Sequence, residues 1–150
     1  MLERVRRSSV DDAVVVLGAH EVETTARVVH CGDWQRGPGA SLRCGLRALP
    51  AEVEAAVVVL GDGPRLAPEA IDRVIDTWRR QEATAVAATY DGVRLHPVLL
   101  SRALWKEIPD EGAKRLGAVL VPCEDLGPPG DVDLADEVPE GLKPWSSPDR

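Results

Sequence analysis

Asp62 stands in Gly61-Asp62-Gly63-Pro64, directly after the apolar run of residues 55–60. A carboxylate at the end of a strand can project a hard oxygen toward Mg²⁺ on a nucleoside triphosphate, and flanking glycines let the backbone approach closely. The same residue types also suit a plain turn, so the spacing alone leaves both readings open. Asp131, Asp133, Asp136 and Glu137 crowd together in "GDVDLADE". Two carboxylates at i and i+2 of an extended segment point the same way and can share a divalent cation; a solvated acidic loop explains them equally well. The stretch "GDWQRGPGASLRCGL", residues 32–46, runs glycine-rich into a helix start. Free N–H groups and the helix dipole suit an anion there, and Ser41 can either cap the helix or donate to a ligand. There is no Gly-Lys-Ser phosphate loop and no G-x-G-x-x-G, so ordinary capping remains a full alternative. His96, in "RLHP", is either a strand residue with a satisfied ring or a ligand. In "DEGAKR", Asp110 can cap a helix and leave Lys114 and Arg115 free for phosphate, although solvated charge accounts for that run too.

The elements that must position these residues alternate in type. "AVVVL" (13–17), "VVH" (28–30), "AAVVVL" (55–60), "TAVAATY" (84–90) and "VLVPC" (119–123) read as strands, short and apolar enough to be covered on both faces. Helices are expected near the N-terminus, over 21–27, over about 40–49 with Leu42, Leu46 and Leu49 as its stripe, and from Pro68 with Ile71, Val74, Ile75 and Trp78 on one face. Asp91-Gly92 predicts a tight hairpin, so 93–100 returns antiparallel. Two short helices are expected, about 100–107 and 111–118. Alternating strands and helices imply an α/β fold with a mostly parallel sheet covered on both faces, and ligands bind beyond the carboxyl ends of such strands.

The bulk numbers set limits. With 150 residues, 44% of them apolar and 29% charged, the chain makes one globular domain. Aromatics are 3% and Phe is absent, so Val, Leu, Ala and Ile must fill the core. A formal charge of -7 opposes unaided binding of nucleic acid or anionic lipid, but leaves a metal-screened nucleotide possible. Cys31, Cys44 and Cys123 are odd in number and lack C-x-x-C spacing, which predicts reduced thiols in a cytoplasmic protein and no zinc site. No apolar segment suits a signal peptide or a membrane helix.

The succession "VVVLGAH", "DWQRGPGASLRCGL", "AVVVLGDGP", "YDGVRLHPVLL", "DEGAKRL" and "DVDLADEV" resembles the molybdenum cofactor cytidylyltransferase group. That group consists of nucleotidyltransferases with a three-layer, Rossmann-like sheet and includes molybdopterin guanylyltransferase. The resemblance runs from about Leu2 to Val138, implying a domain over 1–138 and a tail over 139–150. It implies that Asp62 holds Mg²⁺ at the nucleotide phosphates, with Asp131 or Asp133 completing the metal site. It also implies that Gly39, Ser41, Leu42 and Gly45 belong to a ligand-facing segment, and that His96-Pro97, Gly112 and Lys114 lie beside the acceptor site. The chain departs from the family where Gly63 replaces a residue that is usually Gln, where Pro109-Asp110 replaces Gly-Asp, and where Lys114 replaces Arg.

A larger departure lies at the start. Family members open with a strand and a loop resembling "LAAG-x-S-x-R-M-G-x-x-K", whereas Met1-Leu2-Glu3-Arg4-Val5 resembles the helix after it. The expectation is therefore a sheet lacking its usual first strand and a site lacking the basic loop. Three readings follow: a fragment or mis-started product of an enzyme, a degenerate domain that keeps a binding face, or a strand supplied by another polypeptide or a second copy. The implied reaction is transfer of a nucleotide from CTP or GTP to a small phosphorylated acceptor such as molybdopterin, slow or absent in this chain alone. A catalytically inactive adaptor is one alternative. A nucleotide-sugar glycosyltransferase is another, since "DVD" at 131–133 has the D-x-D letters, although in those enzymes the motif falls where this chain has "LGDGP".

Overall fold

The structure, a computed structural model, describes residues 1–130. Helix α1 (Leu2–Arg6) leads to strands β1 (Val14–Leu17) and β2 (Arg27–His30), then helix α2 (Pro38–Arg47) and strand β3 (Ala55–Val58). Helix α3 (Pro68–Gln81) precedes β4 (Ala85–Tyr90), β5 (Val93–Ser101) and β6 (Val119–Pro122), and 3₁₀ turns fill the connections. β3, β4 and β6 run one way, with β5 antiparallel to both neighbours in the order β3-β5-β4-β6. β1 and β2 pair parallel as a separate two-stranded sheet.

Pattern and packing agree for most elements. α3 starts with Pro68, whose fixed φ suits a first turn. It buries Ile71, Val74 and Ile75 with Val86, Ala88, Leu99 and Val121 of the sheet. On the opposite face, Leu46 of α2 packs with Ala85, Ala87, Val98 and Leu100, beside Trp105 and Ile108 from the segment after β5. This is the three-layer arrangement expected of alternating elements. At the hairpin, Asp91 and Gly92 have φ of 51° and 76°, the left-handed pair that an Asp-Gly turn adopts.

The sheet divides where the resemblance implies that a strand is lacking. On β3, the Glu54 carbonyl accepts from the Arg102 amide at 2.8 Å, so even-numbered backbone groups face β5. Those of Ala55, Val57 and Val59 face the other edge, which no strand among the described residues occupies. On β1, the Leu17 carbonyl accepts from the Cys31 amide at 2.9 Å, which turns Val14 and Val16 to the free side. Helices hold the two sheets together. α2 meets β1 at Gly45, where a Cβ would lie 2.6 Å from Val16 Cγ2, and meets β3 through Leu42, Leu46 and Leu49, which pack with Ala56 and Val58. On the other face Met1, Val5 and Val10 join the core with Ala55, Val57 and Val59.

Three expectations need correction. Residues 21–26 form no helix: Glu21, Val22 and Glu23 are exposed, and the Thr24 hydroxyl accepts from the Ala26 amide at 3.1 Å in a local turn. The helix expected over 111–118 shrinks to a 3₁₀ turn at Ala113–Arg115, because Gly112 has φ of 92° and Arg94 takes the carbonyls of Ala113 and Leu116. Cys31 and Cys44 form a disulfide with Cα atoms 5.7 Å apart, and Cys123 is free and buried. The chain brings the end of β2 against α2, a proximity that residue spacing does not encode. Among the described residues no helix is long and apolar enough to cross a membrane.

Ile71 is fully buried between α3 and the sheet. Ile71→Ala is expected to cost about 2–5 kcal/mol, the range for truncating a buried aliphatic side chain, measured as a lower urea midpoint with an unchanged slope.

Candidate functional site

Asp62 sits just past the carboxyl end of β3, in a turn closed by the Gly63 amide donating to the Leu60 carbonyl at 3.4 Å. Its side chain is exposed, and no Lys or Arg among the described residues pairs with it. No cation among the described residues compensates its charge, a condition that suits a metal ion. Gly63 is buried under the returning chain. A Cβ there would lie 3.3 Å from Pro129 Cβ, 3.4 Å from Met1 Cε and 3.5 Å from the Gly130 carbonyl oxygen. The Arg65 amide donates to the Pro129 carbonyl at 2.9 Å, and Gly130 lies against the Arg65 guanidinium. Residues 129–130 thus dock on the Asp62 turn. Asp131 and Asp133 lie outside the described residues. Among the described residues no group of three or more His, Cys, Asp or Glu could hold a metal ion.

β5 brings His96 to the same lip. The pairing of β3 with β5 ends at Val58 and Val98, and the part of β5 just before it carries His96 within range of the Asp62 charge. Burial pushes the His96 imidazole below its ordinary value; the Asp62 charge pulls it back up, and Arg94 pushes it further down. The result is a neutral ring beside a carboxylate, able to donate or accept one hydrogen bond without adding charge. Pro97 is fully buried, and its bond to His96 is cis.

The segment after β5 is strapped to α2 by a polar network. Arg43 donates to the Ile108 carbonyl at 2.6 Å and to the Asp110 carboxylate, and Arg36 reaches the other Asp110 oxygen at 3.2 Å. The Gly39 amide donates to the Asp110 carbonyl at 2.8 Å. A Cβ on Gly39 would fall 1.7 Å from the Pro109 carbonyl oxygen, so only glycine lets the backbones meet. Arg94 closes the far end, donating to the Leu116 carbonyl at 2.6 Å and the Ala113 carbonyl at 3.2 Å.

The structure therefore brings Gly39 and Gly112 together: a Cβ on Gly112 would lie 3.8 Å from the Gly39 nitrogen. It also sets His96 within range of the Asp62 charge. The Gly39 amide is already taken by Asp110, so the start of α2 offers an anion fewer free donors than a bare helix end would. Ser41 is half-buried, Leu42 packs into the core beneath α2, and Gly45 makes the α2–β1 contact. Lys114 is exposed on the strapped segment. Sequence reasoning missed Arg36, Arg43 and Arg94 as positioning residues. A basic residue two before His96 was the only signal, and it carried no partner.

The Arg43 hydrogen bond holds the Asp110 carboxyl below the ordinary carboxylate value of 3.8, and the Arg36 contact adds to it. The folded state thus binds the Asp110 proton more weakly than the unfolded chain. The stability this contributes is present above that ordinary value and is lost as pH falls toward the depressed one. Asp110→Asn is expected to lower the thermal midpoint at pH 7, with the gap to wild type closing as pH drops through the carboxylate range. Gly39→Ala is expected to cost about 1–3 kcal/mol by overpacking, read from urea unfolding.

A family model described as the MobA-like NTP transferase domain matches residues 1–123. No curated protein matches the chain. Among solved structures, the Rv0371c homologue from Mycobacterium sp. strain JC1 is 24% identical at a TM-score of 0.71, over 90% of this chain and 75% of that one. Rv0371c from Mycobacterium tuberculosis H37Rv is 24% identical at a TM-score of 0.72, over 95% of this chain and 81% of its own. The same mycobacterial protein in complex with manganese is 21% identical at 0.66, over 81% of this chain and 72% of that one. These likenesses establish a shared fold.

Proposed function

This chain belongs to the MobA-like NTP transferase domain family, and from that premise we propose that Asp62 anchors a divalent metal at a nucleoside triphosphate. The single observation that carries the reading is the meeting at the end of β3: an Asp62 carboxylate with no paired cation among the described residues, the His96 ring within range of its charge, and residues 129–130 docked on the same turn. In the sequence Asp131 directly follows Gly130, and Asp133 comes two residues later. That proximity favours a metal site shared between Asp62 and Asp131 or Asp133. The ion is Mg²⁺ in this proposal, and a structural neighbour carries manganese.

The donor is CTP or GTP and the acceptor a small phosphorylated molecule such as molybdopterin. An acceptor phosphate oxygen attacks the α-phosphorus, the bond to the bridging oxygen breaks, and pyrophosphate leaves. A bound divalent cation supplies charge neutralisation for that leaving group. The chain's own residues orient the partners: Asp62 fixes the metal, and neutral His96 donates or accepts a hydrogen bond at the acceptor. The strap carrying Gly112 and Lys114 offers a cation at its exposed edge, with Gly39, Ser41, Leu42 and Gly45 of α2 shaping the wall behind it. Positioning and electrostatics do the work, with no covalent enzyme intermediate. A cytoplasmic setting, which supplies the nucleotide, accords with this reading.

The edges of β1 and β3 that no described strand occupies suit a strand supplied by another polypeptide or a second copy, and the chain alone is expected to turn over slowly or not at all. An adaptor without catalysis is favoured by the same open edges. Calorimetric titration separates the two readings. Wild type is expected to bind CTP or GTP only with Mg²⁺ or Mn²⁺, and Asp62→Asn to weaken that binding at least about tenfold, as loss of about 1.4 kcal/mol or more of metal-ligand contact requires. Metal-independent binding, no binding, or an unchanged Asp62→Asn chain contradicts the proposed site.

A further inference from the structure

The Cys31–Cys44 bond closes a loop whose interior holds Gly37, Gly39 and Arg43, the residues that grip the 108–112 turn. The two sulfurs differ in kind. Cys31 is 2% exposed, at the end of β2, with its Sγ 3.6 Å from the Ala40 carbonyl. Cys44 is half-buried on α2, and the exposed Arg47 guanidinium lies 3.6 Å from its sulfur. A neighbouring cation stabilises a thiolate, and the thiolate is the reactive form. Cys44 is therefore the sulfur that exchanges with solutes, and Cys31 the one that resolves. Where small thiols keep the surroundings reducing, a disulfide that does form is as a rule transient and catalytic or redox-sensing.

We propose that Cys31 and Cys44 form a thiol–disulfide switch that fastens the α2 side of the strap. The oxidant is a low-molecular-weight disulfide. The Cys44 thiolate attacks one of its sulfurs, forming a mixed disulfide and expelling a small thiolate. Cys31, having released its proton to solvent, then attacks the Cys44 sulfur, forming the Sγ–Sγ bond and expelling the second thiolate. The chain loses two protons and two electrons, and the oxidant becomes two thiols. In the closed state the end of β2 is tied to α2, and the segment carrying Gly37, Gly39 and Arg43 loses freedom that it has when only hydrogen bonds and ion pairs hold it. Cys123, buried on the other face of the sheet, takes no part. The inference concerns the 31–44 segment and its grip on residues 108–112, and it stands whether or not the chain transfers nucleotides.

The test equilibrates the purified chain over graded ratios of reduced to oxidised glutathione, with proteolytic mapping, hydrogen-exchange mass spectrometry and thermal unfolding at each ratio. The expected result is a reversible transition that removes two hydrogens from the Cys31 and Cys44 peptides and leaves Cys123 unmodified. In the oxidised state, amide exchange over 37–43 and 109–112 slows at least about tenfold, and the midpoint rises by about 5–10 °C, the scale for closing a loop of this length in a domain of this size. Failure of the bond to form, failure to reverse, or exchange in these segments that ignores the redox state overturns the switch.

Discussion

One antiparallel strand set among parallel ones fixes the geometry of the whole candidate site. β5 runs between β3 and β4, and its nine residues serve three ends at once. Leu99 fills the core beneath α3 while Val98 and Leu100 fill the core beneath α2, so the register cannot slip by one residue without turning apolar side chains out of both layers. Just before that paired stretch lies His96, within range of the Asp62 charge. Two residues earlier, Arg94 reaches the carbonyls of the strapped segment. A hydrophobic constraint thus positions the polar residues.

The strap shows how close backbone approach substitutes for a larger core. Gly37 and Gly39 let the start of α2 press onto Pro109 and Asp110, and the Gly39 amide and three arginines then satisfy the carbonyls and the carboxylate this exposes. Burying a carbonyl without a partner costs about 1–3 kcal/mol, so Arg43 and Arg94, which take the carbonyls of Ile108, Ala113 and Leu116, remove a penalty as well as adding a contact. The arrangement also uses up a helix amide that an anion would otherwise find. Ligand binding near α2 must therefore rely on side chains at the lip of the strap more than on the helix end itself.

Much of this was legible in the residues. β-branched runs located the strands, Asp91-Gly92 located the hairpin, and the Ile71, Val74, Ile75 stripe located α3, because each depends on local sterics and periodicity. The place where no described strand fills the sheet followed instead from the resemblance to the family that matches residues 1–123. What was not legible depends on distant partners. The segment 111–118 has helical composition, but Arg94 draws its carbonyls away. Residues 21–26 look helical until their lack of an apolar stripe is weighed. Cys31 and Cys44 meet only because β2 ends against α2. The convergence of Asp62 with His96 was visible only as two separate motifs until β5 put them side by side.

The account stands on a cation held at Asp62, and the three histidines report on it directly. Substoichiometric Mn²⁺ added with CTP or GTP broadens the NMR signals of nearby imidazoles through its unpaired electrons. The account predicts that the His96 resonance broadens at the lowest metal concentration, while His20 and His30 stay sharp. Broadening of His20 or His30 first, with His96 unaffected, would contradict a metal at the end of β3.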